Sequence, residues 1–248
     1  MTNCTMIISR AICSALIALA TNAIAAADPV SPNVALLHGL ARSAASMEKL
    51  EDYLSEAGFK VCNIDYPSRH YRVERLASDY VKPSLRQCFD NTQTPINFVT
   101  HSLGGIIVRQ IAATESSIVI GRVVMLGPPN KGSEVVDKLG DWAVFQMING
   151  PAGNQLGTAP DDLPRSLGPA TFDAGVIAGS RSINLILSSL IPGEDDGKVS
   201  IENTKLEGMK GFTVVGASHP FIMRDSEAIA LAHQFLLEGA FPEPENDE

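Results

Sequence analysis

Short apolar runs alternate along this chain with longer segments whose apolar residues recur every three or four positions. Val34-Ala35-Leu36-Leu37 is an unbroken run that stops at His38-Gly39. From Ala44 to Ala57, Met47, Leu50 and Leu54 fall on one face of a helix that Gly58 ends. A second run from Phe59 to Tyr66 halts at Pro67-Ser68. The helical spacing from about Val73 to Phe89 contains Pro83, which forces a break or a new first turn. Ile96 to Val99, Val123 to Leu126, Ile183 to Leu187 and Phe212 to Val215 read as four further strands. Leu103 to Ala113 and Ser226 to Leu237 read as helices. Residues 130–181 are rich in glycine and proline, and are expected as an insertion over one end of a sheet, possible lid included. Buried strands separated by helices predict an α/β fold with a mostly parallel sheet flanked by helices on both faces. In such sheets ligands gather at the carboxyl ends of the strands, so the chemistry is expected just after each apolar run.

The two ends of the chain change that picture. Arg10 is the only charged residue before Asp28, an apolar stretch runs from Ala11 to Ala20, and small residues fill Ala23-Ile24-Ala25-Ala26-Ala27. This is the pattern of a signal peptide over residues 1–27, which predicts export to the periplasm or the medium. The apolar stretch is short for a membrane span, so no stable membrane anchor is expected. The folded domain is then residues 28–241, and residues 242–248 form an acidic tail. Removal of the signal leaves Cys62 and Cys88 of four cysteines. An even pair in an exported chain suggests one disulfide, with two separate buried thiols as the alternative. A formal net charge of −9 argues against nucleic acid and anionic membrane as partners. The sequence leaves the oligomeric state open.

Reactive residues stand where the strand ends are expected. Thr100-His101-Ser102-Leu103-Gly104-Gly105 follows the third strand and opens a helix. A G-x-S-x-G turn in that context lifts a serine hydroxyl above the sheet, and small flanking residues let helix and strand approach. Gly104 meets the second requirement; Thr100 stands in place of the first glycine. A hydroxyl needs a base to become a nucleophile. Of five histidines, His219 in Gly216-Ala217-Ser218-His219-Pro220 follows the last strand and is placed to reach back over the sheet. His38 sits at a tight strand end, His70 in a polar loop, His233 in the last helix, and the His101 side chain should diverge from its neighbour's hydroxyl. The third member should be an acid between the two in the chain, and Glu194-Asp195-Asp196-Gly197 lies there. Asp196 is chosen because Gly197 lets the chain turn behind it; Glu194 and Asp195 are then expected as solvated turn acids. Oxyanion donors are expected at the Leu103 N–H, which opens a helix, and at the Leu40 N–H in the loop after the first strand, where Gly39 permits a tight path.

Leu37-His38-Gly39-Leu40, Thr100 to Gly105 and Asp196-Gly197-Lys198-Val199 together resemble the α/β-hydrolase superfamily, in its small bacterial lipase and esterase branch. The resemblance runs from Val34 to Leu237. Met125-Leu126-Gly127-Pro128-Pro129-Asn130-Lys131-Gly132-Ser133 looks like a segment of uncharacterised members of that branch and of GPI-inositol deacylase-like hydrolases. It implies hydrolysis of small-molecule or lipid carboxylic esters without metal or organic cofactor, with Ser102, His219 and Asp196 as triad and Leu40 and Leu103 as oxyanion donors. An acyltransferase, thioesterase or amidase would use the same residues, and a non-catalytic binding protein would keep only the fold. Trp142 to Ile148 could form a lid, an acyl wall or core packing.

Overall fold

The computed structural model describes residues 31–114, 117–140, 142–183 and 188–243. The expected signal peptide, residues 184–187 of the expected fifth strand and residues 244–248 of the acidic tail lie outside the described residues. Six parallel strands, β1 (Asn33–Leu37), β2 (Lys60–Ile64), β3 (Ile96–His101), β4 (Ile120–Leu126), β5 (Ala174–Gly179) and β6 (Gly211–Val215), form one sheet in the order β2-β1-β3-β4-β5-β6. Among the described residues no helix is long and apolar enough to cross a membrane.

The sheet is covered on both faces, and its central strand β3 is buried at every position. In β1, Ala35 and Leu37 point to one core and Val34 and Leu36 to the other. The first core lies under α3 (Leu103–Thr114) and under the helical stretch that ends in α2 (Lys82–Cys88). The second lies under α1 (Glu48–Glu56) and α6 (Ser226–Glu238). The helix α3 is buried from Leu103 through Ile111, Arg109 and Gln110 included. Arg109 reaches out of the core toward the segment between β4 and β5, where it donates to the carbonyl oxygens of Asn130 (3.0 Å), Pro164 (2.7 Å) and Gly168 (2.8 Å). Its burial lowers its pKa to about 10.

The segment expected to be one helix from Val73 to Phe89 runs as a short α turn (Val73–Arg75), a π turn (Leu76–Val81) and then α2, with Pro83 in the first turn of α2, where it needs no hydrogen-bond donor. Cys62 of β2 and Cys88 at the end of α2 are bridged, with their Cα atoms 6.1 Å apart.

The fifth strand corrects the sequence expectation. It is Ala174–Gly179, inside the 130–181 segment read as an insertion, while Ile183 stands in an exposed bend. The strand escapes notice because only Val176 and Ile177 are large, with alanine and glycine on either side. Gly175 has to be small, since a Cβ there would stand 2.7 Å from the Phe235 ring of α6. What remains between β4 and β5 carries α4 (Glu134–Leu139) and α5 (Ala143–Gly153) over the carboxyl end of the sheet.

Candidate active site

Ser102 sits between the end of β3 and the start of α3 with φ of +51°, a left-handed conformation that a serine adopts only at a cost. The turn is held by the Ser102 N–H, which donates to the Leu126 carbonyl at 2.9 Å, and by the Gly105 N–H, which donates to the Ser102 carbonyl at 3.0 Å. Gly104 is required by contact: a Cβ there would stand 2.5 Å from the Leu37 carbonyl oxygen of β1. Gly105 answers the Thr100 substitution. A Cβ at 105 would come within 3.3 Å of the Thr100 hydroxyl, so the second glycine opens the room that a glycine at 100 would have left.

His219 follows β6, and its Nε2 lies 3.0 Å from Ser102 Oγ. Its Nδ1 lies 2.7 Å from Asp196 Oδ2. The Asp196 carboxylate is fully buried, and its other oxygen accepts from the Lys198 and Val199 N–H groups at 3.0 and 2.9 Å. The His219 N–H donates to the Asp196 carbonyl at 2.9 Å, so main chain as well as side chain fixes the pair. Gly197 has φ of +99°, the turn expected behind Asp196. The structure thus brings Ser102, His219 and Asp196 into one hydrogen-bonded line at the carboxyl end of the sheet.

Asp195 departs from its expected role. It is buried, not solvated: its carboxylate accepts from the Gly197 N–H at 2.7 Å and the Ser188 hydroxyl at 2.5 Å. Glu194 is exposed as expected. Two glycines that sequence reasoning passed over clear space for the line. A Cβ on Gly127 would stand 2.9 Å from Asp196 Oδ2 and 3.3 Å from His219 Nδ1, and one on Gly179 would stand 2.9 Å from Asp196 Cβ. Each lies at or just past the carboxyl end of a strand, and that position is the one signal that could have found them.

His101 does diverge from the Ser102 hydroxyl, and it takes up a position behind His219. Its Nε2 donates to the His219 carbonyl at 2.9 Å, while Nδ1 is buried without a partner among the described residues. Desolvation, and then the neighbouring His219, hold its pKa well below the ordinary histidine range, so it is neutral at pH 7. His38 is buried beneath the loop after β1. It stacks on Tyr66 with ring centroids 4.0 Å apart, donates from Nδ1 to the Gly39 carbonyl and accepts from the Tyr66 N–H at Nε2. Burial lowers its pKa, outweighing the Gly39 carbonyl and Asp65, which pull the other way. The Tyr66 hydroxyl donates to the His38 carbonyl. His70 is exposed, and His233 packs edge-on against Tyr53 and Phe59.

That loop turns at Ala41, with φ of +57°, and the Ala41 N–H donates to Ser68 Oγ at 3.0 Å. Gly39 is needed for clearance, because a Cβ there would meet His101 Nδ1 at 2.6 Å and Ser102 Cβ at 3.3 Å. Leu40 therefore passes beside the serine, opposite Leu103 at the start of α3, whose first-turn N–H groups have no partner within the helix.

A cavity of about 260 Å³ opens beside Ser102 and His219. Leu40, Pro129, Val135, Val136, Leu139, Leu156 and Val199 make its walls apolar, α5 contributes Asn149 and Gly153, and Lys198 stands at its edge. Of the segment expected as lid, acyl wall or core, Trp142 and Met147 are 66% and 76% exposed and lie outside the cavity lining; the side chains of Ala143, Val144, Phe145 and Ile148 lie outside the description.

No protein-family model matches the sequence, and no curated protein does. Solved structures do. The mature form of the lipase BlEst2 of Bacillus licheniformis is similar with a TM-score of 0.64 and 19% identity, over 84% of this chain and 93% of that one. A bromoperoxidase of Bacillus anthracis matches with a TM-score of 0.54 and 16% identity, over 84% and 92%. An extracellular α/β-hydrolase from a Paenibacillus species matches with a TM-score of 0.53 and 13% identity, over 85% and 99%. At such identities the likeness is one of backbone path, and with the parallel sheet and its flanking helices it identifies the chain as one of the α/β-hydrolase fold.

Proposed function

We propose that the protein is a serine hydrolase that cleaves carboxylic esters. The observation that carries this reading is the line from Ser102 through His219 to Asp196, at 3.0 and 2.7 Å, with the serine held on a strained turn beside an apolar cavity. Strain is retained where a structure over-determines it, and here it aims a hydroxyl at the cavity. The lipase among the structural neighbours agrees in direction.

In the reaction His219 Nε2 takes the proton from Ser102 Oγ as the oxygen bonds to the ester carbonyl carbon. The carbonyl oxygen becomes negative and is met by the Leu40 and Leu103 N–H groups. The carbon–oxygen bond to the alcohol then breaks, and the alcohol leaves with the proton that His219 held. Water attacks the acyl-serine with His219 again as base, the Ser102–acyl bond breaks, and the acid departs with the serine restored. Asp196 fixes the tautomer with a proton on Nδ1 and stabilises the imidazolium while it lasts. The same acyl-enzyme would serve transfer to another alcohol or amine.

A fluorophosphonate probe is expected to label the protein once, on Ser102, and Ser102→Ala should abolish both labelling and turnover by at least about 10⁴-fold on an aryl butyrate. Labelling that persists in the alanine variant, or an unlabelled wild-type protein, would refute the assignment. Residues 1–27 are proposed as an export signal; the Cys62–Cys88 bridge supports an oxidising destination.

A further inference from the structure

The loop after β1 has a cavity on each side. Leu40 lines the apolar cavity at Ser102, whereas Arg42 lines a separate polar hollow of about 660 Å³ with Ser68, Arg69 and His70. The hollow is tied together. Ser68 accepts from the Ala41 N–H, and Gly150 of α5 approaches so closely that a Cβ there would stand 1.9 Å from the Arg69 carbonyl oxygen.

Its charge is unbalanced. Arg42 and Arg69 have no carboxylate partner among the described residues. Asp65, the acid in the lining, already accepts from the Ala44 N–H at 2.9 Å. The Arg42 guanidinium reaches to 3.5 Å from the Pro220 carbonyl, next in the chain to His219. Lys198 is a third cation, at the edge of the apolar cavity, with no salt bridge among the described residues although the Asp196 charge acts on it. Much of its side chain is open to solvent, yet crowding around the ammonium, and then Arg42, lower its pKa. In a chain of net charge −9, cations lining the cavities on both sides of the Leu40 loop run against the average. A cleft concentrates such a field on whatever enters it.

We propose that the ester this protein takes carries an anionic group, phosphate or carboxylate, in its alcohol portion. The acyl chain enters the apolar cavity, the alcohol portion crosses the Leu40 loop into the hollow, and Arg42 and Arg69 receive the anion there. Guanidinium forks match both oxyanions in a bidentate manner. The proposal rests on the ester-hydrolase reading above.

The test compares three butyrate esters: those of para-hydroxybenzoate and of para-hydroxyphenyl phosphate, and the neutral one of methyl para-hydroxybenzoate. The readout is the ratio of kcat/KM for each anionic ester to that for the neutral one, relative to wild type, so that intrinsic leaving-group reactivity cancels. In Arg42→Gln/Arg69→Gln the ratio is expected to fall about tenfold for at least one anionic ester, equivalent to roughly 1.4 kcal/mol. Arg42→Lys/Arg69→Lys, which keeps the charges but not the forks, should recover part of it. The ester with the larger fall identifies the anion. Should the double glutamine variant fail to fold, Arg69→Gln alone carries the comparison, since that side chain is exposed. A ratio that falls less than about threefold, with all three esters cleaved, overturns the proposal and leaves the ester reading standing. A wild-type protein that cleaves none of the three overturns the ester reading, and the proposal with it.

Discussion

Asp195 and Asp196 are neighbours of one chemical type, and both are buried, yet the structure gives them separate work. Asp196 has one oxygen on His219 and the other on two main-chain N–H groups; Asp195 has its oxygens on Gly197 and Ser188 and none on the histidine. Replacing each by asparagine separates electrostatics from architecture. Asp196→Asn keeps the shape but removes the charge that sustains the imidazolium and the tautomer, so turnover of a soluble ester should drop by up to about 10⁴-fold with a near-native melting curve. Asp195→Asn substitutes an amide NH2 for one of two acceptor oxygens, one of which takes the Ser188 hydroxyl and the other the Gly197 N–H. It should cost about 1–3 kcal/mol of stability, with activity at low temperature far less affected than in Asp196→Asn. Urea denaturation and turnover on both variants decide it; a crippled but fully stable Asp195→Asn would move the functional acid to that residue. The sequence could not separate them this way. That Asp196 precedes a turning glycine can be read from the next residue, whereas the bond of Asp195 to Ser188, seven residues upstream, depends on how the chain doubles back.

At the scale of elements, the sheet edge and its center are secured differently. β2 lies at the edge with a single strand neighbour, and the Cys62–Cys88 bridge staples it to α2. With a sequence separation of 26, the chain-entropy model predicts that Cys62→Ser/Cys88→Ser loses roughly 3.5 kcal/mol of unfolding free energy. Guanidinium denaturation of oxidised and double-serine protein tests this, and a difference below about 1 kcal/mol would show that the edge is held by packing instead. The centre depends on the turn around Ser102, where strand, helix and neighbouring strand meet with glycine at 104 and 105. Most elements were legible because their signals are local: an unbroken apolar run cannot be missed in β1, nor helical spacing in α1, and His219 and Ser102 each follow an apolar run. β5 was illegible because Gly175 and its small neighbours answer to the Phe235 ring of α6, and no window of sequence contains both. Gly127 and Gly179 were missed for the same reason, since each is small to clear Asp196, far away in the chain.

On the scale of the whole molecule, two buried histidines underlie the site and make its stability depend on pH. His38 supports the Leu40 loop, and His101 holds the His219 carbonyl. Both pKa values are lowered in the fold, chiefly by desolvation, from the ordinary 6.5. The folded chain therefore resists protons that the unfolded chain accepts. The associated stability is present in full above pH 6.5 and is lost as the pH falls from there toward the folded values. For His101, held well below 6.5, part of this stability is lost on going from pH 7.5 to 5.5. The opposing effect, relief of repulsion in a chain of net charge −9, requires protonated carboxylates and belongs mostly below pH 5. The window from pH 7.5 to 5.5 is thus governed by histidines. His101→Gln should be less stable than wild type at pH 7.5, having lost its bond to the His219 carbonyl. Between pH 7.5 and 5.5, however, it should lose measurably less stability than wild type does. Urea titrations of both proteins at the two pH values measure this directly. Equal losses in the two proteins would mean that His101 takes up its proton without opening the fold, and that the apolar shell behind His219 is less closed than its burial indicates.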